Sequence, residues 1–283
     1  MSKIILSADS TCDLSTALLE RYDVHLQPLR INLGDNIYQD GVDITPDEIY
    51  ATFEKDRILP KTSAPNPQEY IDYFRQWTDE GHEVVHISLG SGISSSHQNA
   101  KLASEELGNV YVIDSGNLST GMGHLVIEAG ERIKKGLPAS QIYEEVDALK
   151  SKVHASFVID TLTYLYEGGR CSALQAFSAS LLKIKPSIEV DNMSGKMDVG
   201  RKYRGSLTKA FKRYTKDQLT SHDNIKKDRV FITHSGTSQE NIDVVKETIQ
   251  ELVDFDEVFI TRAGCTISSH CGPNTLGVLF MTE

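Results

Sequence analysis

The sequence predicts an α/β fold with a largely parallel sheet, and three observations predict it. Val- and Ile-rich runs of strand length alternate with segments of helical period. Several of these runs end in loops of small polar residues. The chain, at 283 residues, is long enough to bury a sizeable core and to divide into two lobes.

Ile4–Ala8 reads as a first strand, Ser15–Arg21 as a short helix and Val24–Leu33 as a second extended run. Thr45 caps a helix through about Phe53, with Pro46 at its first position and Glu48 at the capping-box position. A helix follows Pro67. Strand Glu83–Leu89, helix Ser95–Leu107 and strand Val110–Asp114 come next, and two helices fill Leu118–Lys152. Val153–Ile159 opens a second series. Gly168-Gly169-Arg170 punctuates two helical segments, and Pro186–Asp191 with Lys196–Tyr203 reads as a hairpin. A helix after Ser206, strand Arg229–Thr233, helix Ser238–Leu252, strand Glu257–Thr261 and strand Leu276–Met281 complete the chain. The expected lobes are 1–155 and 156–283.

The net charge of −11 argues against general nucleic-acid binding. It is uneven, because Lys183 to Arg229 holds thirteen Lys/Arg against six Asp/Glu. That stretch is either a solvated helix face or a docking patch for an acidic partner. The four cysteines show no Cys-x-x-Cys spacing, the N-terminal apolar run is too short for a signal peptide, and no run reaches membrane-spanning length. These features lead us to expect a cytoplasmic protein with reduced thiols.

His82-Glu83-Val84-Val85-His86 satisfies a zinc-protease pattern, but that pattern needs a helix. Here it reads as a strand, where four residues span about 13 Å, too far for one metal. No Gly-x-Ser-x-Gly elbow and no Walker A sequence occurs, and Gly121-Met122-Gly123 lacks the third glycine of a dinucleotide fingerprint. No metal, cofactor or catalytic residue is expected.

Two polar clusters and a histidine suggest a carboxylate site instead. Thr62 and Ser63 precede the stiff Ala64-Pro65-Asn66-Pro67 segment, and Ser94, Ser95 and Ser96 stand at a helix start. His270 lies in the segment Gly264–Asn274, whose Gly, Ser and Pro content reads as a loop. Hydroxyl and amide donors hold a carboxylate without burying an opposing charge, and His270 would add one more hydrogen bond, stronger if protonated.

Eight stretches, in order over nearly the whole chain, resemble the DegV family. They are Asp9-Ser10-Thr11-Cys12-Asp13-Leu14; Lys61-Thr62-Ser63-Ala64-Pro65; Ile93-Ser94-Ser95-Ser96-His97-Gln98-Asn99-Ala100; and Val112-Ile113-Asp114-Ser115. They continue with Tyr164-Leu165-Tyr166-Glu167-Gly168-Gly169-Arg170-Cys171-Ser172; Leu181-Leu182-Lys183-Ile184-Lys185-Pro186; Lys202-Tyr203-Arg204-Gly205; and His270-Cys271-Gly272-Pro273. That family includes the fatty-acid-binding (FakB-type) subunits of bacterial fatty acid kinase.

The resemblance implies a two-lobed fold, parallel in the N-terminal lobe and mixed in the C-terminal lobe, with a fatty acid held between the lobes. It implies that Thr62 and Ser94 bind the carboxylate, with His270 near the head group. It further implies a protein without catalytic activity of its own, which offers the acid to a separate ATP-dependent kinase. The acyl phosphate formed there feeds phospholipid synthesis. Arg170 and Arg204 are the docking arginines by the same resemblance. The tail is expected in the lobe bearing Ala173, Leu174, Phe177, Leu181 and Leu182, whose spacing equally suits a core helix face. The expected ligand is a C14–C18 acid. No integral membrane contact is expected, and transient contact at a membrane surface is compatible with the reading.

The chain departs from the family pattern at its head-group loop. The usual Leu-Ser-Gly-Thr-Tyr-Gln is Ile93-Ser94-Ser95-Ser96-His97-Gln98, and the last motif ends in Asn274 instead of glycine. Two rival readings stand beside the carrier. One is a serine-dependent lipid hydrolase using Ser94 and a nearby histidine. The other is a carrier for another anionic lipid, with no kinase involved.

Overall fold

Ile4–Asp9 is buried on both faces, and it forms β1 inside a four-stranded parallel sheet. The computed structural model describes residues 3–171 and 184–283. After β1 come α1 (Thr16–Tyr22), β2 (Val24–Gln27), β3 (Arg30–Leu33), β4 (Asn36–Gln39), α2 (Pro46–Asp56), β5 (Lys61–Ser63) and α3 (Pro67–Thr78). Then follow β6 (Glu83–Ser88), α4 (Ser96–Leu107), β7 (Val110–Asp114), α5 (Ser119–Lys134), α6 (Ala139–Leu149), β8 (Val153–His154), β9 (Ser156–Val158) and α7 (Thr163–Gly168). The rest is β10 (Ile184–Val190), β11 (Met197–Arg204), α8 (Leu207–Thr220), β12 (Arg229–His234), α9 (Gln239–Leu252), β13 (Glu257–Arg262), α10 (Cys265–Cys271) and β14 (Leu276–Met281).

The first sheet has the order β2-β1-β6-β7, all parallel. Alternate residues face opposite layers. Ile5, Val84 and Val112 pack with Tyr70 and Phe74 of α3 and with Ala100 and Ala103 of α4. Leu6, Val85, Ile87 and Ile113 join the larger core with Met122 and Leu125 of α5. The second sheet runs β11-β10-β9-β14-β12-β13, with β8 also on β14. Only its β12–β13 pair is parallel among the described residues. The fold is therefore α/β with a parallel first sheet and a mixed second one, as the sequence and the resemblance imply.

Helix α5 lies between these two sheets and is buried continuously from Ser119 to Gly130. The two glycines that fell short of a dinucleotide fingerprint belong to it. A Cβ on Gly123 would stand 2.9 Å from the Cys12 carbonyl oxygen, so this glycine permits close packing. On its far side, Thr120 Oγ1 is 2.5 Å from Thr233 Oγ1 of β12. The buried Glu128 carboxylate accepts from Lys226 at 2.8 Å and from Arg229 at 2.5 Å.

The run Val24–Leu33 does not stay in one sheet. It breaks at Pro28, and Pro cannot donate to a strand ladder. Its second half, β3, pairs antiparallel with both β4 and β5 in a small separate sheet. The segment Gly264–Asn274 is also not a loop throughout, because Cys265–Cys271 is a short helix. Asn274 takes φ 60°, in the left-handed region where the family pattern has glycine, and Asn tolerates that region well. Ser95 has φ −84°, so its replacement of a glycine introduces no backbone strain.

Candidate functional site

Strand β5 carries Thr62 and Ser63, held in register opposite Ile31 and Arg30 of β3. Asn66 then starts α3 with a full capping box: its side chain accepts from Glu69 N–H, and Glu69 accepts from Asn66 N–H. The Ser94 loop lies between β6 and α4. Asn99 of α4 donates to the Pro65 carbonyl at 2.7 Å, which ties the two loops together. Asp9, fully buried at the end of β1, fixes both from below. It accepts from the Tyr70 hydroxyl at 2.6 Å and from Leu89 N–H at 2.8 Å.

Helix α10 is clasped at its start by two more buried acidic side chains. Asp13 accepts from Gly264 N–H at 2.8 Å, and Asp40 accepts from Cys265 N–H at 2.7 Å. These satisfy helix donors that would otherwise lack partners. Asp13 also accepts from Ser119 at 2.5 Å, and burial pushes its carboxyl up to about 8. The helix delivers His270 to β5, with Nε2 2.8 Å from Thr62 Oγ1. Burial, with the nearby Arg170 cation, pushes His270 down to about 4. It is therefore neutral at physiological pH, and the stronger bond of a protonated ring is not available. With the proton on Nε2, His270 donates to Thr62, and the Thr62 hydroxyl is left to donate onward.

Thr62, Ser63, Ser94, Ser95, Arg170 and His270 all line one cavity of about 310 Å³. That volume falls in the range of small-molecule pockets, roughly 300–1,000 Å³. The other walls are mostly apolar, including Leu29, Leu89, Leu118, Leu165, Met197 and Ile267. Burial pushes the Cys271 thiol up to about 12, so this wall residue is also uncharged. Leu118, Ile267 and Cys271 lead on to a smaller, mainly apolar space of about 30 Å³ between α5 and the second sheet. Such a cavity has the make-up that suits an amphiphile, with hydroxyls and an imidazole at one part and apolar walls elsewhere.

Within the serine loop, Ser94 Oγ is 3.0 Å from Ser96 Oγ and accepts Ser96 N–H at 3.1 Å. Ser95 is exposed and makes no side-chain cap bond to α4. Ser63 Oγ accepts a long, 3.5 Å contact from Asn32. Arg170 is exposed at the rim, donating to Gly168 O at 2.7 Å. Arg204 ends β11, exposed, and does not line the cavity. Ala173, Leu174, Phe177, Leu181 and Leu182 lie outside the described residues.

The nearby histidines have other partners than Ser94. His97 pairs with Ser88 Oγ at 3.0 Å, and burial lowers its pKa. His86 of the zinc-like pattern is on β6 with Nδ1 2.8 Å from Ser7 Oγ, while His82 accepts Lys3 N–H. The apolar wall residues were not singled out by the sequence. They come from separate elements far apart in the chain, and nothing local to any of them marks it as a wall residue.

The chain matches the model of the DegV family of uncharacterised proteins over residues 3–283, and it belongs to that family. A DegV domain-containing protein of Clostridium perfringens is 31% identical over 287 residues, spanning 100% of both chains. Among solved structures, a DegV family protein of Thermus thermophilus, described by its fatty acid binding, aligns with a TM-score of 0.90. It is 29% identical and the match covers 99% of this chain and 100% of that one. A stearic-acid-binding protein of Eubacterium ventriosum aligns with a TM-score of 0.83 at 29% identity, over 100% of this chain and 98% of that one. No helix among the described residues is long and apolar enough to cross a membrane.

Proposed function

We propose that the protein binds a long-chain fatty acid of the C14–C18 class and presents its carboxylate to a separate fatty acid kinase. The observation that carries the binding is the Thr62–His270 pair at 2.8 Å in an otherwise largely apolar cavity. The fatty-acid-binding structural neighbours support the same reading. Thr62 and Ser94 donate hydroxyl hydrogen bonds to the carboxylate, with Ser63 and Ser95 beside them. Neutral His270 orients Thr62.

The tail runs past Leu118, Ile267 and Cys271 toward the second sheet. Burying about a dozen methylenes at ~0.8 kcal/mol each supplies roughly 10 kcal/mol before ordering costs. Burial of the tail therefore supplies much of the binding without a buried head-group ion pair. The head-group loops of residues 1–155 and the tail-bearing lobe of 156–283 then share one ligand.

In the kinase step, a carboxylate oxygen attacks the γ-phosphorus of ATP and ADP leaves, giving an acyl phosphate. That chemistry belongs to the partner. Exposed Arg170 at the cavity rim and Arg204 with the basic stretch around it form the docking face. The hydrolase reading is weaker, because Ser94 is bonded to Ser96 while His97 and His270 are bonded elsewhere.

Native mass spectrometry of the protein purified from a bacterial host, with lipid extraction, tests the binding. A stoichiometric C14–C18 acid is expected. An empty protein that also refuses added C14–C18 acids would overturn the reading. Addition of a bacterial fatty acid kinase catalytic subunit and ATP then tests presentation. ADP release that depends on the loaded protein is expected, and none would leave a carrier without a kinase.

A further inference from the structure

Thr266 lines the same cavity as Thr62 and His270 and is only 3% exposed. Its hydroxyl has no hydrogen-bond partner among the described residues. A threonine inside a helix commonly returns its hydroxyl to the carbonyl one turn back. Thr266 is the second residue of α10, and four positions back is Arg262, the last residue of β13. The helix offers no such acceptor there, so nothing within α10 competes with a ligand for this hydroxyl.

Thr266 and His270 stand four residues apart, on one face of α10 and about 6 Å apart along its axis. Helical side chains lean toward the helix N-terminus, so the His270 ring covers the turn that bears Thr266. His270 in turn holds Thr62 at 2.8 Å. Thr62 and Thr266 are therefore neighbours of one imidazole ring, and a turn about the Thr266 χ1 bond brings its covered hydroxyl to the cavity that both residues line. A carboxylate has two oxygens with room for about four hydrogen bonds, and suits two separate donors better than a single hydroxyl does.

We propose that Thr266 is a further head-group residue, whose hydroxyl donates to one carboxylate oxygen while Thr62 donates to the other. This inference rests on the fatty-acid reading of the cavity. It also gives Thr266 a selective role. A fatty alcohol offers one neutral oxygen, to which hydrogen bonds are weaker than to an ionised carboxylate, so Thr266 favours the acid over the alcohol of equal length.

The test measures dissociation constants of palmitic acid and of hexadecanol for the delipidated full chain and for Thr266→Val and Thr266→Ser. Valine keeps the shape and removes the hydroxyl. Palmitic acid should bind Thr266→Val at least about ten-fold more weakly, the size of a lost hydrogen bond to a charged group. Hexadecanol affinity should change less than about three-fold, and Thr266→Ser should restore binding of the acid. If valine prevents folding, Thr266→Ala makes the same deletion. Unchanged acid affinity, or an equal loss for acid and alcohol, would overturn the proposal for Thr266 alone. Failure of the unmodified chain to bind palmitic acid would overturn the fatty-acid reading itself, and this inference with it.

Discussion

Gly168 packs so tightly on His270 that a Cβ at this position would lie 2.3 Å from the imidazole Nδ1. The ring cannot yield freely, because its other nitrogen is hydrogen-bonded to Thr62. Gly168→Ala should therefore displace the ring and break that bond. Fatty-acid affinity is expected to fall roughly ten-fold, the cost of about one hydrogen bond. Titration with a fluorescent fatty acid measures it. An affinity equal to the unmodified protein would show that the ring does not orient the head-group site.

Thr62→Val and Ser94→Ala each remove one hydroxyl donor while leaving the apolar walls intact. Each should weaken binding by ~1.5–3 kcal/mol, the usual range for a hydrogen bond to a charged group. The two hydroxyls serve one carboxylate, so the double variant should not show simple additivity. Calorimetric titration with palmitate gives the numbers. Full affinity in the double variant would remove both residues from the head-group assignment.

The strand and helix pattern was largely legible because local signals agreed with the fold. Thr45 and Asn66 both make the capping box that their Glu partners three residues later announce. Asn66 was not singled out, although the same signal stands in its sequence. Legibility fails where a non-local contact decides. Val24–Leu33 looks like one strand, but Pro28 breaks it and the pairing of β3 with β5 pulls its second half into another sheet. Cys265–Cys271 has loop composition, yet it folds as a helix whose first donors meet Asp13 and Asp40, more than two hundred residues earlier. The polar half of the cavity was legible, since its hydroxyls cluster in short motifs. The hydroxyl of Thr266 was not, because one threonine in a Ser-rich segment carries no local signal.

Asp9 should be among the costliest side chains to truncate. It is fully buried, and its loss leaves the Tyr70 hydroxyl and Leu89 N–H without their acceptor. Asp9→Ala should cost ~2–4 kcal/mol of stability. It should also loosen the serine loop and the start of α3, and so weaken ligand binding. Urea unfolding of the ligand-free chain reports the first effect. A loss under about 1 kcal/mol would contradict the role given to this carboxylate.

Stability should be greatest near pH 6.5. Burial pushes His124 down to about 3 and His154 and His270 down to about 4, against 6.5 for an unfolded histidine. Below pH 6.5 the unfolded chain takes up protons that the folded chain refuses, so stability falls as pH drops toward 4. Asp13 acts in the opposite sense. Its folded carboxyl, raised to about 8 by burial, holds a proton that the unfolded one releases near 3.8, so its contribution is lost as pH rises through 8. Three histidines outweigh one aspartate on the acid side, and Asp13 alone shapes the slope between 6.5 and 8 among these four. Unfolding temperatures from pH 4 to 8.5 should form a peak, and Asp13→Asn should flatten its alkaline side. A profile still rising steadily from pH 6.5 to 8 would contradict the Asp13 assignment.

Arg204 should separate presentation from binding, whereas Arg170 should serve both. Arg204 is exposed and does not line the cavity, so Arg204→Ala should leave fatty-acid affinity unchanged. It should lower kinase turnover through a raised KM for the loaded carrier, because a lost docking contact weakens encounter with the kinase. Arg170 stands at the rim of the cavity, beside the head group in the proposed complex. Its guanidinium is near enough to lower the His270 pKa, so its field reaches the head-group site. Arg170→Ala should therefore raise that KM as well and weaken fatty-acid binding several-fold. Steady-state kinetics over a range of carrier concentrations, beside direct binding titrations, distinguish the two. Unchanged turnover for both variants at all concentrations would place the docking face elsewhere on the molecule.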